Sequence, residues 1–556
     1  MIIIQSVILL SAFLLFQIEL IIAKLLLPYY GGSYSVWGAC VVFFQFLILS
    51  GYFYAHLLLK NFTPKQSRMI HAALSFLPLL AFPGRELLIN ADQNNINLVF
   101  QIFIQLSFSI GSVFFILSSM SVVWQGWMGH SRLKEKVNPY RLYAVSNLGS
   151  FAALFTYPFL FERYLTLDAQ IFIWRTGYFI LLALQVSAFF RIPLAQTIFV
   201  QSPSLKLPGH SRGEFLRWMT LSAAGVMMFL AVTNIITSEI TPMPLLWVVP
   251  LGVYLLSFCF NFKEKIWCPA WITENIWVVA GSAVLFYFFI LTEKIPLLFV
   301  LLIGWGLLFL ICMFCQNQLI RTKPEDQKHL TDFYLAISLG GFLGGILVSW
   351  VIPVMTAYYL EYLLALFLLS CGLLVPHNLR PIKIERWKVL AAIQAVIIVF
   401  LPLLSKFLVQ EEYLYRHRNY YGIIKIFDQG GVRFLKHGET LHGMQYASDR
   451  QKPPKPLAYY HPGSPAGKLL SSDIFDFKRI AMVGLGAGSL ASYGRDGREI
   501  ESRDEPPASG GLGFLPLIGY MFQSAAPDHV RAPATSLEVR RGPTVIVSQC
   551  HKKFSR

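Results

Sequence analysis

Apolar runs long enough to cross a lipid bilayer recur along the first three-quarters of the chain, and they constrain the fold more than any other feature. A bilayer offers backbone groups no water to bond, so a segment inside it must satisfy its own N–H and C=O groups. Helices of about 20 apolar residues do this. Such runs fall at about thirteen places: 2–22, 36–59, 69–83, 96–124, 141–161, 169–190, 214–234, 243–262, 272–291, 296–315, 330–352, 357–375 and 388–408. Only 14% of the 556 residues are charged and 55% are hydrophobic, against about 25% charged in soluble domains. These features predict a polytopic α-helical membrane protein.

The loops test this reading. Basic residues crowd every second loop, from Lys60, Lys65 and Arg68, through Arg132, Lys134, Lys136 and Arg141, to Arg380, Lys383, Arg386 and Lys388. The alternate loops hold only Lys24, Arg85, Arg163 and Lys294. Positive charge stays on the cytoplasmic side, so the N-terminus is expected there, in a multi-pass protein of the plasma membrane. An odd number of spans would put the C-terminal domain on the opposite side. The net charge of +16 is accounted for by these loops. No basic face interleaved with aromatics argues for nucleic acid. The first run lacks a basic leader and a small-residue cleavage site, which reads as a retained span. Seven cysteines make no disulfide framework, and Cys312 with Cys315 reads as helix packing rather than a metal site.

Polar residues interrupt the spans: Gln17 and Glu19, His56, Asn147, Arg175, Asn234 and Glu239. Charges at bilayer depth usually face a bundle interior or a water-filled cavity. They read either as a polar substrate or ion path or as interhelical pairing. With no repeat and no pair of broken helices recognised, pairing is the favoured reading. The paired glycines Gly340-Gly341 and Gly344-Gly345 are explained by close helix approach.

After about residue 410 the composition changes. The segment EEYLYRHRNYYGIIKIFDQGGVRFLKHGETLHGMQY reads as short strands with turns at Gly422, Gly430-Gly431 and Gly438. Farther on, RIAMVGLGAGSLASYG (479–494) is a strand that breaks at Gly484, Gly486 and Gly488 and restarts as a helix. That turn aims backbone N–H groups outward and lets a nucleotide-like ligand approach the main chain without meeting a Cβ. It also fits the looser pattern G-x-G-x-x-A, which wants an acid about twenty residues on at a strand end. Asp504 and Glu505 lie at that distance, but REIESRDEPPASGG has no apolar strand to present them. His437 and His442 read as surface residues of the hairpin rather than general bases.

The chain resembles the membrane proteins that carry a fused spermidine-synthase-like domain. The resemblance rests on FQIELIIAKLLLPYYGGSYSVWGACVVFFQFLILSGYFYAHLL (16–58), YAVSNLGSFAALFTYPFLFE (143–162), TNIITSEITPMPLLWVVPLGVYLLSF (233–258) and HLTDFYLAISLGGFLGG (329–345). It continues through RFLKHGETLHGMQY, LAYYHPGSPAG and the glycine turn. It implies a transmembrane domain at 1–410, a linker and small β region at 411–475, and the start of a methyltransferase-like, Rossmann-type α/β domain at 476–496. It further implies transfer of an aminopropyl group from decarboxylated S-adenosylmethionine, a cosubstrate rather than a resident cofactor, to an amine such as putrescine. Gly484, Gly486, Gly488, Gln445, Tyr460 and His461 fall where the family places cosubstrate contacts. No residue is identified as the catalytic base.

The resemblance ends at about Asp496. The tail, 497–556, offers one apolar stretch (512–522) and one strand-like run (544–548), too little for the remaining strands and helices of a doubly wound domain. The abrupt shift suggests a changed reading frame or a foreign end, with a naturally shortened domain as the competing explanation. Translation of the coding DNA in the other two frames decides this: no strand ending in Glu or Asp in either frame defeats the first idea. Two functions are therefore carried forward. One is an aminopropyltransferase-like enzyme impaired in this chain. The other is a non-enzymatic, transporter-like or structural membrane protein in which Glu19, Asn147 and Asn234 matter.

Overall fold

The computed structural model describes residues 2–30, 34–80, 98–129, 139–191, 212–239, 248–263, 265–291, 296–324, 330–375, 384–408, 413–419, 422–438, 440–448, 456–472, 479–483, 489–493, 499–503 and 545–548. The chain divides into two compact units, Met1–Ala91 with Val99–Val409, and Asp92–Leu98 with Gln410–Arg556.

The first unit is helical. A first series comprises α1 (Ile2–Tyr30), α2 (Tyr34–Asn61), α3 (Pro64–Phe76), α4 (Leu98–Gly129), α5 (Pro139–Thr156), α6 (Glu162–Tyr164) and α7 (Leu167–Arg191). A second comprises α8 (Arg212–Glu239), α9 (Val248–Phe262), α10 (Ala270–Glu274), α11 (Ile276–Leu291), α12 (Leu297–Arg321), α13 (Leu330–Ile346), α14 (Ile352–Met355) and α15 (Leu360–Leu374), and α16 (Ile384–Leu408) follows. Among the described residues, 8 helices are long and apolar enough to cross a membrane. Four more apolar helices are shorter, at 10–17 residues. The expected third span is only partly apolar: α3 is a polar-faced helix. Thr63 caps it, accepting from the Gln66 N–H while the Gln66 side chain accepts from the Thr63 N–H. Outward faces carry large apolar side chains, such as Phe172 at 70% exposure and Leu302 at 59%, which suits lipid rather than water.

The two series pack in the same pattern. α1 lies along α5, and α8 lies along α13. α7 packs on α1 as α15 packs on α8. Across the series the helices exchange partners, α2 packing on α13 and α9 on α5. Glycines permit the tightest of these contacts. A Cβ on Gly149 would collide with the backbone carbonyl of Leu9 in α1, and one on Gly340 with that of Met219 in α8. Small residues of this kind let helix backbones approach in a membrane.

A second shared feature is a break. α5 runs into a single wide, π-helical turn at Tyr157–Phe161, and α13 into another at Leu347–Val351. Pro158 lies in the first and Pro353 just beyond the second. Proline has no N–H to donate and its ring collides with the carbonyl one turn back, so the helix shifts locally to longer-range bonding. The sequence reading recognised neither a repeat nor a pair of broken helices. In the folded chain the two series share a packing pattern and a π-helical break, while interhelical pairing does hold Asn234 to Glu361 and His56 to Asp332.

The second unit opens with an antiparallel meander, β1 (Tyr413–Asn419), β2 (Gly422–Gln429), β3 (Val432–His437) and β4 (Thr440–Tyr446), ordered β1-β2-β3-β4. The turns fall at the expected glycines. Gly430 and Gly431 take φ of 58° and 76° between the paired residues Gln429 and Val432, the two left-handed positions of a tight hairpin turn. Next come the short helix α17 (Pro465–Ser471), capped by Ser464, and a parallel sheet ordered β6-β5-β7, built from β5 (Arg479–Val483), β6 (Glu499–Arg503) and β7 (Val545–Ser548). β6 shows that REIESRDEPPASGG, which has no apolar strand, nonetheless forms a polar one. Ile500 is its one apolar residue, so neither alternation nor an apolar run marks it in the sequence.

Candidate functional site

Two places gather functional side chains, one in each unit. In the second unit, Tyr460, Leu470, Ile480, Leu490 and Tyr493 form a buried cluster. It packs α17 and the turn at Ser489–Tyr493 against β5. The Tyr493 hydroxyl donates to the Tyr460 carbonyl at 2.6 Å, and burial pushes that phenol above its usual pKa, a hydrogen bond with Ser471 working the other way. Tyr460 is thus a core residue as well as an expected cosubstrate contact. His461 is exposed and accepts the Gly463 N–H through Nδ1 at 3.0 Å. Gln445 sits on β4 opposite Arg433 and is not part of the cluster. Gly484, Gly486 and Gly488 lie outside the described residues, between β5 and the turn at Ser489. The rings of His437 and His442 lie 5.7 Å apart on β3 and β4.

β6 matters for position. It runs parallel to β5, with Val483 level with Arg503. The C-terminal ends of the two strands, Val483 of β5 and Arg503 of β6, therefore lie side by side, and Asp504 and Glu505 follow the second in sequence. Those two acids lie outside the described residues.

In the first unit, α1, α2, α4, α5, α8, α9 and α13 enclose a cavity of about 200 Å³. Its walls follow the correspondence between the two helix series. Ala12, Phe16 and Glu19 of α1 line it, and so do Ser222, Val226 and Phe229 of α8, each pair at the same sequence separation. That separation also relates Val41, Phe44 and Ile48 of α2 to Leu251, Tyr254 and Phe258 of α9, and Gln45 to Leu255. A second constant separation relates Ser146, Asn147 and Ser150 of α5 to Ile337, Ser338 and Gly341 of α13. The cavity therefore lies where two equivalent helix sets meet.

The chemistry of the walls is less symmetric. Glu19 is the one charged residue lining the cavity, and its counterpart is Phe229. It is 7% exposed, and among the described residues its carboxylate has no hydrogen-bond or ion-pair partner. Lys24, one turn on, is engaged by Glu162 at 3.2 Å. The Gln45 Oε1 atom is also buried, with no hydrogen bond among the described residues. Asn147 donates to the Tyr143 carbonyl at 2.9 Å. Tyr52, Ser118 and Ser121 add hydroxyls from α2 and α4.

The other polar residues of the spans separate by role. Asn234 is not at the cavity: it donates to Glu361 at 3.1 Å, both buried. His56 pairs with Thr331 at 2.9 Å and with Asp332 at 3.4 Å. Gln17 is buried with neither side-chain polar atom partnered among the described residues, and it does not line the cavity. Arg175 is half-buried, and the Glu239 side chain lies outside the described residues. Cys312 and Cys315 are buried free thiols, and the Cys312 thiol donates to the Gly225 carbonyl of α8 at 3.9 Å. The sequence did not single out Gln45, Tyr52 or Tyr254; the pairing of equivalent positions is the signal that finds Gln45 and Tyr254. No protein-family model and no curated protein matches the chain.

Proposed function

We propose that the helical unit is a solute-binding, transporter-like membrane module of two equivalent halves, with its site in the cavity between them. One observation carries this reading: most of the cavity lining falls into residue pairs at two constant sequence separations, and it encloses a carboxylate with no partner among the described residues. Transporters assembled from internal repeats hold their substrates at the repeat interface, near the membrane midplane and beside interrupted helices. The glycine contacts and the two π-helical turns support the same reading. Counting α3 as a span, each half supplies six crossings and α16 a thirteenth, with the N-terminus cytoplasmic in the plasma membrane. Labelling tests the site. Ser146→Cys and Ser338→Cys, in a cysteine-free variant in proteoliposomes, should react with a small water-soluble thiol reagent. Failure of both to react from either side defeats the reading.

A second reading concerns the C-terminal unit: aminopropyl transfer from decarboxylated S-adenosylmethionine to an amine, as in the spermidine-synthase-like family. The observation that favours it is β6, a strand parallel to β5 and directly followed in sequence by Asp504 and Glu505. An acid there would hold ribose hydroxyls beside the Gly484–Gly486–Gly488 turn. The sulfonium is already a good leaving group, so positioning and deprotonation of the amine are the tasks left to the protein. Thioether product formed by purified protein and lost in Gly486→Asp supports it; absence of both turnover and adenosyl-ligand binding defeats it.

A further inference from the structure

We infer that the cavity between the two helix sets binds a small monovalent organic cation of the primary-monoamine kind, its ammonium on the Glu19 carboxylate. The inference rests on the reading of the cavity as a solute site and adds the substrate class.

Three observations lead to it. The first is charge. Glu19 is 7% exposed, lines the cavity and has no partner among the described residues. A carboxylate removed from water is costly unless a cation or donor meets it. Among the described residues none provides the cation, because Lys24 pairs with Glu162 and no basic residue lines the cavity.

The second is the character of the remaining wall. Phe44, Tyr254 and Phe258 face the same space. Aromatic faces attract organic ammonium groups through the ring quadrupole and give an alkyl chain an apolar surface. The oxygen groups present are hydroxyls and amides with a single carboxylate, too little negative charge for a divalent ion such as calcium, which draws on several carboxylate and carbonyl oxygens. The groups present suit an ammonium, which needs about three acceptors. Asn147 and Ser146 line the same cavity as Glu19 and bring further acceptor oxygens to it.

The third is stoichiometry. With one carboxylate in the cavity, a monocation leaves the site neutral. A dication such as putrescine would leave an uncompensated charge in an apolar surround. The volume of about 200 Å³ is below the roughly 300–1,000 Å³ typical of pockets for drug-sized ligands, so the solute is small.

The test is calorimetric titration of the purified full chain with butylammonium chloride, with 1-butanol as the uncharged probe and putrescine as the dication. Butylammonium should bind, butanol and putrescine should bind at least about tenfold more weakly, and Glu19→Gln should lose butylammonium by a similar factor. Glu19→Asp, which keeps the charge, should retain binding, and unchanged thermal midpoints show that the variants fold. Equal binding of butanol and butylammonium, insensitive to Glu19→Gln, overturns the cation inference while leaving the solute site standing. Putrescine binding as tightly as butylammonium overturns the monovalent assignment. No binding of any probe, with both cavity cysteines also unreactive, defeats the inference together with the reading beneath it.

Discussion

The rings of Tyr143 and Tyr334 stack with centroids 4.9 Å apart and planes at 20°, and the two residues hold the same place in matching segments. Tyr143 opens YAVSNLGSF in α5, and Tyr334 opens YLAISLGGF in α13. Tyrosine, leucine, glycine and phenylalanine coincide. Two equivalent helices thus meet through equivalent residues, next to the cavity whose walls obey the same correspondence.

The glycines of those segments give the first prediction. Gly149→Ala and Gly340→Ala each drive a Cβ into a backbone carbonyl that cannot rotate away. Each should destabilise the purified protein by about 1–3 kcal/mol, the usual cost of overpacking. Gly281→Ala meets nothing within 4 Å and should be neutral or stabilising by up to about 1 kcal/mol. Thermal unfolding in detergent separates the two classes; equal effects at all three positions would contradict the equivalent close contacts.

The buried pair Asn234–Glu361 gives the second. Asn234→Leu removes a donor 3.1 Å from a fully buried carboxylate and should cost about 1–3 kcal/mol. The double variant Asn234→Leu/Glu361→Leu should recover part of that loss, since two apolar groups replace a broken polar pair. Butylammonium binding should change little, because neither residue lines the cavity.

In the C-terminal unit, Tyr493→Phe deletes the bond to the Tyr460 carbonyl, at about 1 kcal/mol. The pH dependence has a definite sign. Burial raises the Tyr493 phenol above its ordinary value of about 10, so the folded state holds the proton more tightly than the unfolded chain. That contribution is fully present below pH about 10 and is lost as pH rises through the folded value. Urea midpoints of the wild type should fall faster than those of Tyr493→Phe above pH about 10; parallel declines would show that the phenol does not contribute.

Much of the helical unit was legible in the sequence because a lipid environment demands long apolar runs. The hairpin turns were legible because Gly430 and Gly431 adopt a backbone that other residues resist. The equivalence of the two halves was hidden. Lipid-facing positions accept almost any apolar residue and even cavity positions differ, Glu19 corresponding to Phe229, so the repeat survives in a few packing residues such as Gly149 and Gly340. Asn234 read as a site residue because its partner, Glu361, is distant in sequence. β6 escaped notice because its composition, EIESR, carries no apolar signal.

The most direct test is an experimental density map of the full chain in a lipid nanodisc with saturating butylammonium. The account predicts that the helices from α1 to α7 superpose on those from α8 to α15 with their π-helical turns coincident, and that density for the probe lies against Glu19 between Phe44 and Tyr254. Halves that fail to superpose, or a cavity without the probe, would contradict it.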